Sequence, residues 1–223
     1  MDSYESLLRE HWQTLFESYK VSDALVDEKW VTVWNGWSEP HRHYHTPEHL
    51  ANLIASIESQ DWSGMVHSIL TFTAFYHDVI YDPLATDNEA QSATLAENEL
   101  LELGIHTAVC DAVPDLIYRT ANHMDAVDFE PEYASWFLDA DLQILGSEPA
   151  AYARYAQQVR SEYSVIPEKE YCGGRIGVLE RFLEADAIYR TDSFREQYET
   201  QARKNLLSEI DQLKAKLLQI NGN

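Results

Sequence analysis

Apolar residues recur every three to four positions along almost the whole chain, and that spacing admits little but helix. Leu7, Leu8, Trp12, Leu15, Phe16 and Tyr19 share one face of a first helix, and Leu25, Val26, Trp30, Val33 and Trp34 one face of a second. Gly36 and Pro40 break the pattern in NGWSEPHRHYH. Thr46-Pro47-Glu48 predicts a fresh start, with a hydroxyl cap and then proline at the first helical position. That helix carries His49, Leu50, Leu53, Ile54 and Ile57. Ser63 opens MVHSILTFTAFYHDVIY, which is apolar on most sides and belongs in the middle of a bundle; Pro83 is its expected end. Asp87 caps NEAQSATLAENELLEL, which Gly104 closes. Further helices are predicted near 106–122, 132–145, 149–163, 168–185 and 192–219, with Pro114 kinking the first of these or shifting its start. No stretch reads as a strand, and no repeat is present. The expected fold is all-α, and 223 residues lie at the upper end of what one core serves, so one domain over 1–223 is the simplest expectation.

Charge narrows the function classes. Sixteen basic residues against 38 acidic ones leave a net charge of -22. Such a surface repels nucleic-acid polymers and anionic membranes. It also repels a phosphate ester at long range, so a phosphate-handling site here needs a metal or local cations. Cys110 and Cys172 form no Cys-x-x-Cys pair, which excludes a thiolate metal site and speaks against a disulfide framework. The opening MDSYESLLREHWQ is acidic and amphipathic, unlike a signal peptide. No apolar run approaches the roughly 20 residues of a membrane span. The expectation is a soluble, cytoplasmic protein.

The adjacent His77 and Asp78 fall near the C-terminal end of the most apolar helix. An imidazole and a carboxylate are costly there unless paired or bound to a cation. His49, in the first turn after Thr46, supplies a second imidazole. FLDADLQILG holds Asp139 and Asp141 about 200° apart around a helix, so the two have different roles: one faces the centre while the other faces outward or caps a neighbour. Two imidazoles with carboxylates suit zinc, manganese, iron, cobalt, nickel or magnesium.

The order His49, His77-Asp78, Asp141 resembles the H…HD…D signature of the HD superfamily of metal-dependent phosphohydrolases. RHYHTPEHL, FYHDVIYDP, DNEAQSA and LDADLQILG together resemble a bacterial branch of predicted HD phosphohydrolases, over about residues 41–146. The resemblance implies an HD-type helical bundle and one divalent metal held by His49, His77, Asp78 and Asp141. It also implies attack of metal-activated water on a small, nucleotide-like phosphomonoester or phosphodiester. Glu89 or Asp78 would help remove the proton; the other reading of Glu89 is that it favours a helix N-terminus that Asp87 and Asn88 cap. Arg42, His45, Arg119 and His123 are the expected substrate contacts. His41 and His43 face solvent, and Tyr44, Tyr76 and Tyr81 line the pocket or belong to the core. Two other functions stay open: a nucleotide-binding module that does not cleave, and a two-iron HD oxygenase. Cys172-Gly173-Gly174-Arg175-Ile176-Gly177 lacks the lysine and strand of a phosphate loop; its glycines suit a kink or a close helix contact, and Arg175 a place at the mouth of the site.

Overall fold

Every regular element among the described residues is helical, as the apolar spacing predicts. The structure is a computed structural model that describes residues 3–124 and 131–221. The chain divides into two compact units, Met1–His123 and Met124–Asn223. The boundary falls inside the 41–146 stretch expected to form the core of one domain.

The first unit begins with α1 (Ser3–Phe16), which buries Leu8, Trp12, Leu15 and Phe16. In α2 (Asp23–Trp37) the Ser22 hydroxyl accepts from the Leu25 N–H, and Val26, Trp30, Val33 and Trp37 are buried at helical spacing. Gly36 does not break this helix, which continues to Trp37. α3 (Pro47–Glu58) starts at the expected proline, but the Thr46 hydroxyl makes no capping bond. Every residue of α4 (Gly64–Tyr76) from Ser68 to Tyr76 is buried, and α3, α5 (Asn88–Glu102) and α6 (Thr107–Thr120) pack around it. This is the central helix expected from its all-round apolar surface. It stops at Tyr76, well short of Pro83: the Val79 N–H turns back to Tyr76 O, and the Ile80 and Asp82 N–H groups then bond side chains of α5. At α5, Asp87 takes the N-cap position without a capping bond and accepts from Gln91 at 3.0 Å. The C-terminus of α5 closes as expected: Gly104 adopts φ +67, its N–H bonds Leu101 O, and the Ile105 N–H bonds Leu100 O. α6 carries Pro114 in its interior, and the His106 side chain caps its start by accepting from the Ala108 N–H.

A polar network crosses this apolar interior. The Tyr76 hydroxyl donates to Glu99 at 2.7 Å, and Lys29 donates to Glu102 at 2.6 Å with Glu99 3.9 Å away. Burial pushes the Glu99 carboxyl up from its ordinary value, against the pull of the Tyr76 bond and the Lys29 charge. An acid whose folded pKa is raised contributes stability that is full below its unfolded pKa and is lost as pH rises through the folded value. The wild type should therefore lose stability relative to Glu99→Gln as pH climbs above 4.5, the ordinary value of this group. Urea melts of both proteins at about pH 4 and about pH 8 check this; a stability difference that does not change with pH would contradict it.

The second unit contains α7 (Glu132–Asp141) with a 3-10 turn (Leu142–Gly146), α8 (Pro149–Glu162) and α9 (Glu168–Glu184). A final helical run has a short first turn, α10 (Asp192–Phe194), a π turn (Arg195–Glu199) and α11 (Thr200–Asn221). Charge-rich α11 docks by burying Ala202, Leu206, Ile210 and Leu213. The glycine-rich stretch lies within α9, and a Cβ at Gly173, Gly174 or Gly177 would meet nothing within 4 Å. No close helix contact accounts for those glycines. Arg175 bonds Glu209 at 2.9 Å and 3.3 Å, and Glu209 also accepts from the Tyr152 hydroxyl, so Arg175 is part of a buried structural pair. No helix among the described residues is long and apolar enough to cross a membrane.

Candidate metal centre

His49, His77 and Asp78 come together in the first unit, with one ligand atom of each within 4.8 Å of the others. His49 is the third residue of α3, in the turn that Pro47 starts. His77 caps the C-terminus of α4 through its N–H to Thr73 O, and a turn closed by the Val79 N–H to Tyr76 O carries Asp78. The His49 and His77 Nε2 atoms are 3.4 Å apart, and His77 Nε2 is 3.3 Å from Asp78 Oδ2. His49 and His77 are buried, and 15% of the Asp78 side chain is exposed.

The hydrogen bonds fix how these atoms meet. His77 Nδ1 lies 2.9 Å from Ala74 O. A carbonyl oxygen only accepts, so Nδ1 carries a hydrogen and, in the neutral ring, Nε2 is an acceptor. Its lone pair faces a second imidazole nitrogen and a carboxylate oxygen in a place with little water. A hydrogen on His49 Nε2 can bond to that lone pair, and a divalent cation among the three atoms could take its place. The His49–His77 and His77–Asp78 spacings match those of two ligand atoms on one cation. Ligand atoms about 2.1 Å from one ion stand roughly 3.0–3.4 Å apart at octahedral or tetrahedral angles. Two nitrogens and a carboxylate oxygen are donors that first-row divalent ions accept.

The segment after α4 is held in place from several sides. The Ser92 hydroxyl accepts from the Ile80 N–H at 3.1 Å, and the Asn88 side chain bonds both the N–H and the carbonyl of Asp82. A Cβ on Gly36 would lie 2.4 Å from Val79 O and 2.9 Å from Val79 Cγ2, so glycine lets α2 approach this turn. The Trp37 indole, anchored by its N–H to Phe75 O at 2.8 Å, packs 5.4 Å from the His77 ring and 6.1 Å from the His49 ring. Gly36 and Trp37 were not foreseen as site residues. A glycine inside a helix, at a cost of about 1 kcal/mol against alanine, was the available signal.

Arg42 requires a correction. Its side chain is 0% exposed and ion-pairs with Glu39 at 3.0 Å. Its Nε and Nη2 donate to Glu39, its Nη1 to His45 O and Asp78 O, and its Nη2 also to Val79 O. Every N–H of the guanidinium is thus engaged inside the protein, which leaves no donor for the substrate contact expected of it. His45 does stand beside the cluster, with its Nε2 3.8 Å from Asp78 Oδ2 and its ring 4.4 Å from Tyr81. Tyr44 packs 5.0 Å from the His49 ring. Tyr76 points to Glu99 and is core. His41 and His43 are exposed, as expected.

The remaining expected site residues are placed as follows. Glu89 is half-buried in the first turn of α5, where a carboxylate favours the helix N-terminus; it is not among the three clustered donors. Arg119 lies in the last turn of α6 and bonds Asp115 at 2.9 Å, and His123 lies in the turn that follows. Asp141 is the last residue of α7, in the second unit, and is half-buried. Its neighbour Asp139 takes the capping role expected of one member of the pair. The Asp139 carboxylate accepts the N–H groups of Arg190 and Thr191 and the Thr191 hydroxyl, each at 2.7 Å, where α10 begins. Burial pushes its carboxyl up, and those donors pull it back.

The second unit also has a cleft of about 460 Å³. Its charges are already matched, because Glu168 pairs with Arg160 and Lys216, and Glu209 pairs with Arg175. Among the described residues, His49, His77 and Asp78 are the one group of three or more His, Cys, Asp or Glu side chains close enough to hold a metal ion. No family model, curated protein or solved structure matches this chain.

Proposed function

We propose that the chain is a metal-dependent phosphohydrolase that cleaves a phosphomonoester or phosphodiester of a small, nucleotide-like molecule. The observation that carries this reading is the convergence of His49, His77 and Asp78, whose ligand atoms lie within 4.8 Å of one another. A divalent ion, when bound, supplies Lewis acidity toward a phosphate oxygen and toward water. It also supplies the local positive charge that a chain of net charge -22 needs to admit a phosphate.

The chain's own groups do the rest. The Ala74 carbonyl fixes the His77 ring, so Nε2 faces the centre in one orientation. Asp78 supplies the carboxylate of the donor set and, with Glu89 as the other candidate, takes a proton from the attacking water. His45, beside Asp78, is placed to contact a phosphate oxygen. Arg119 and His123 are retained as further phosphate contacts. Asp141 is retained as a further ligand on the resemblance alone, and Asp141→Asn tests it separately.

The test is hydrolysis of p-nitrophenyl phosphate and bis-p-nitrophenyl phosphate with manganese, nickel, cobalt, zinc, iron or magnesium. At least one pairing should turn over. Asp78→Ala should lose at least about 100-fold in rate, with its helical circular dichroism unchanged. Full turnover by a correctly folded Asp78→Ala protein would rule the mechanism out.

A further inference from the structure

We propose that Arg42 is a positioning residue for the metal donors: its buried guanidinium ties together the two chain segments that carry them. This rests on the metal-centre reading above. One segment enters α3 and bears His49; the other leaves α4 and bears His77 and Asp78. Arg42 Nη1 bonds the first at His45 O, 3.3 Å away, and the second at Asp78 O, 2.7 Å away. Its Nη2 bonds Val79 O at 3.1 Å. Apart from the donors themselves, this is a direct bridge between the two segments through a single side chain.

The chemistry of the group suits the task. A guanidinium is planar, and its N–H bonds leave in fixed directions, so the carbonyls it holds are fixed relative to one another. The Trp37 ring, 5.5 Å from the Arg42 carbon, and the Tyr81 ring, 5.3 Å from it, confine its plane. Trp37 also touches both donor imidazoles, so the guanidinium and the donors share one wall. A buried cation beside a cation site would weaken metal binding by repulsion. Glu39, on Nε and Nη2 at 3.1 Å and 3.0 Å, offsets that charge. Lysine cannot take over the role, because its three N–H bonds radiate from one atom on a flexible stem.

The probe is Co²⁺ added to the metal-stripped full chain. Binding is followed by equilibrium dialysis and by the visible absorption of the bound ion, at a temperature where circular dichroism shows each protein folded. Arg42→Lys should weaken Co²⁺ binding by about 10- to 100-fold, the usual effect of losing a group that orients a ligand. It should also change the absorption band at saturation. A role confined to stability would lower the melting temperature and leave the affinity and band of the folded protein unchanged. Glu39→Gln keeps Arg42 but removes the compensating charge, and should shift the affinity in the same direction by less; it decides the matter if Arg42→Lys does not fold. Wild-type affinity and band in folded Arg42→Lys, or wild-type affinity in Glu39→Gln when Arg42→Lys does not fold, would overturn the clamp and leave the metal centre standing. Failure of the wild type to take up Co²⁺ would overturn the metal-centre reading, and the clamp with it.

Discussion

Replacing His77 with alanine should abolish stabilisation of the protein by divalent metal. A ligand that binds only the folded state adds about 2.7 kcal/mol when present at 100 times its dissociation constant. The wild type should gain that much in cobalt or manganese at such a concentration. His77 is 1% exposed and contributes the nitrogen that faces both His49 and Asp78. Without it two donors remain, and a 100-fold loss of affinity would leave a gain of only about 0.4 kcal/mol. His77→Phe is the sharper variant, because it keeps a ring under Trp37 while removing the nitrogen. The metal-free His77→Phe protein should be somewhat less stable than the wild type, since the ring loses its Nδ1–H bond to Ala74 O. Denaturant melts with and without metal measure both effects. An undiminished metal-dependent gain in either variant would exclude His77 as a ligand.

Trp12→Ala should cost about 3–5 kcal/mol, the usual range for a buried aromatic residue cut back to a methyl group. The Trp12 ring meets Phe16 of α1, Trp30 of α2, and Phe72, Phe75 and Tyr76 of α4. It is fully buried, and its indole N–H donates to Val26 O at 3.0 Å. Truncation would therefore open a cavity where three helices meet and leave a carbonyl without its donor. The loss is a large part of a typical folding free energy of about 5–15 kcal/mol. Because the chain has two compact units, the expected signature is an early transition of the first unit rather than a shift of one cooperative melt. Trp12→Phe keeps most of the ring contacts and should lose less than half as much. A loss under about 1 kcal/mol for Trp12→Ala would mean that the aromatic cluster contributes little.

The helices were legible because burial imposes a period that the residues must keep, as at Leu8, Trp12, Leu15 and Phe16 or Val26, Trp30 and Val33. Helix ends were less so. Gly104 announced its own terminus because the backbone there needs positive φ. The end of α4 could not be read at Tyr76, since the groups that bond or pack against the turn after it, Arg42, Ser92 and Gly36, are far off in sequence. The three clustered donors were legible as costly groups in apolar surroundings. Arg42 was misread because a basic residue in a histidine-rich loop looks available to a phosphate, and nothing local shows that the distant Asp78 and Val79 carbonyls engage it together with Glu39 and His45 O. In the same way, a lone glycine and tryptophan at 36 and 37 give no hint of the turn they pack against. The division into two units was hidden because helical spacing continues on both sides of it.

The measurement closest to the central claim is elemental analysis of the purified chain beside Asp78→Ala. About one transition-metal ion per chain is expected in the wild type, as purified or after exposure to manganese, cobalt, nickel, zinc or iron, and its loss from the variant. A wild-type chain that takes up none of these ions would contradict the metal centre.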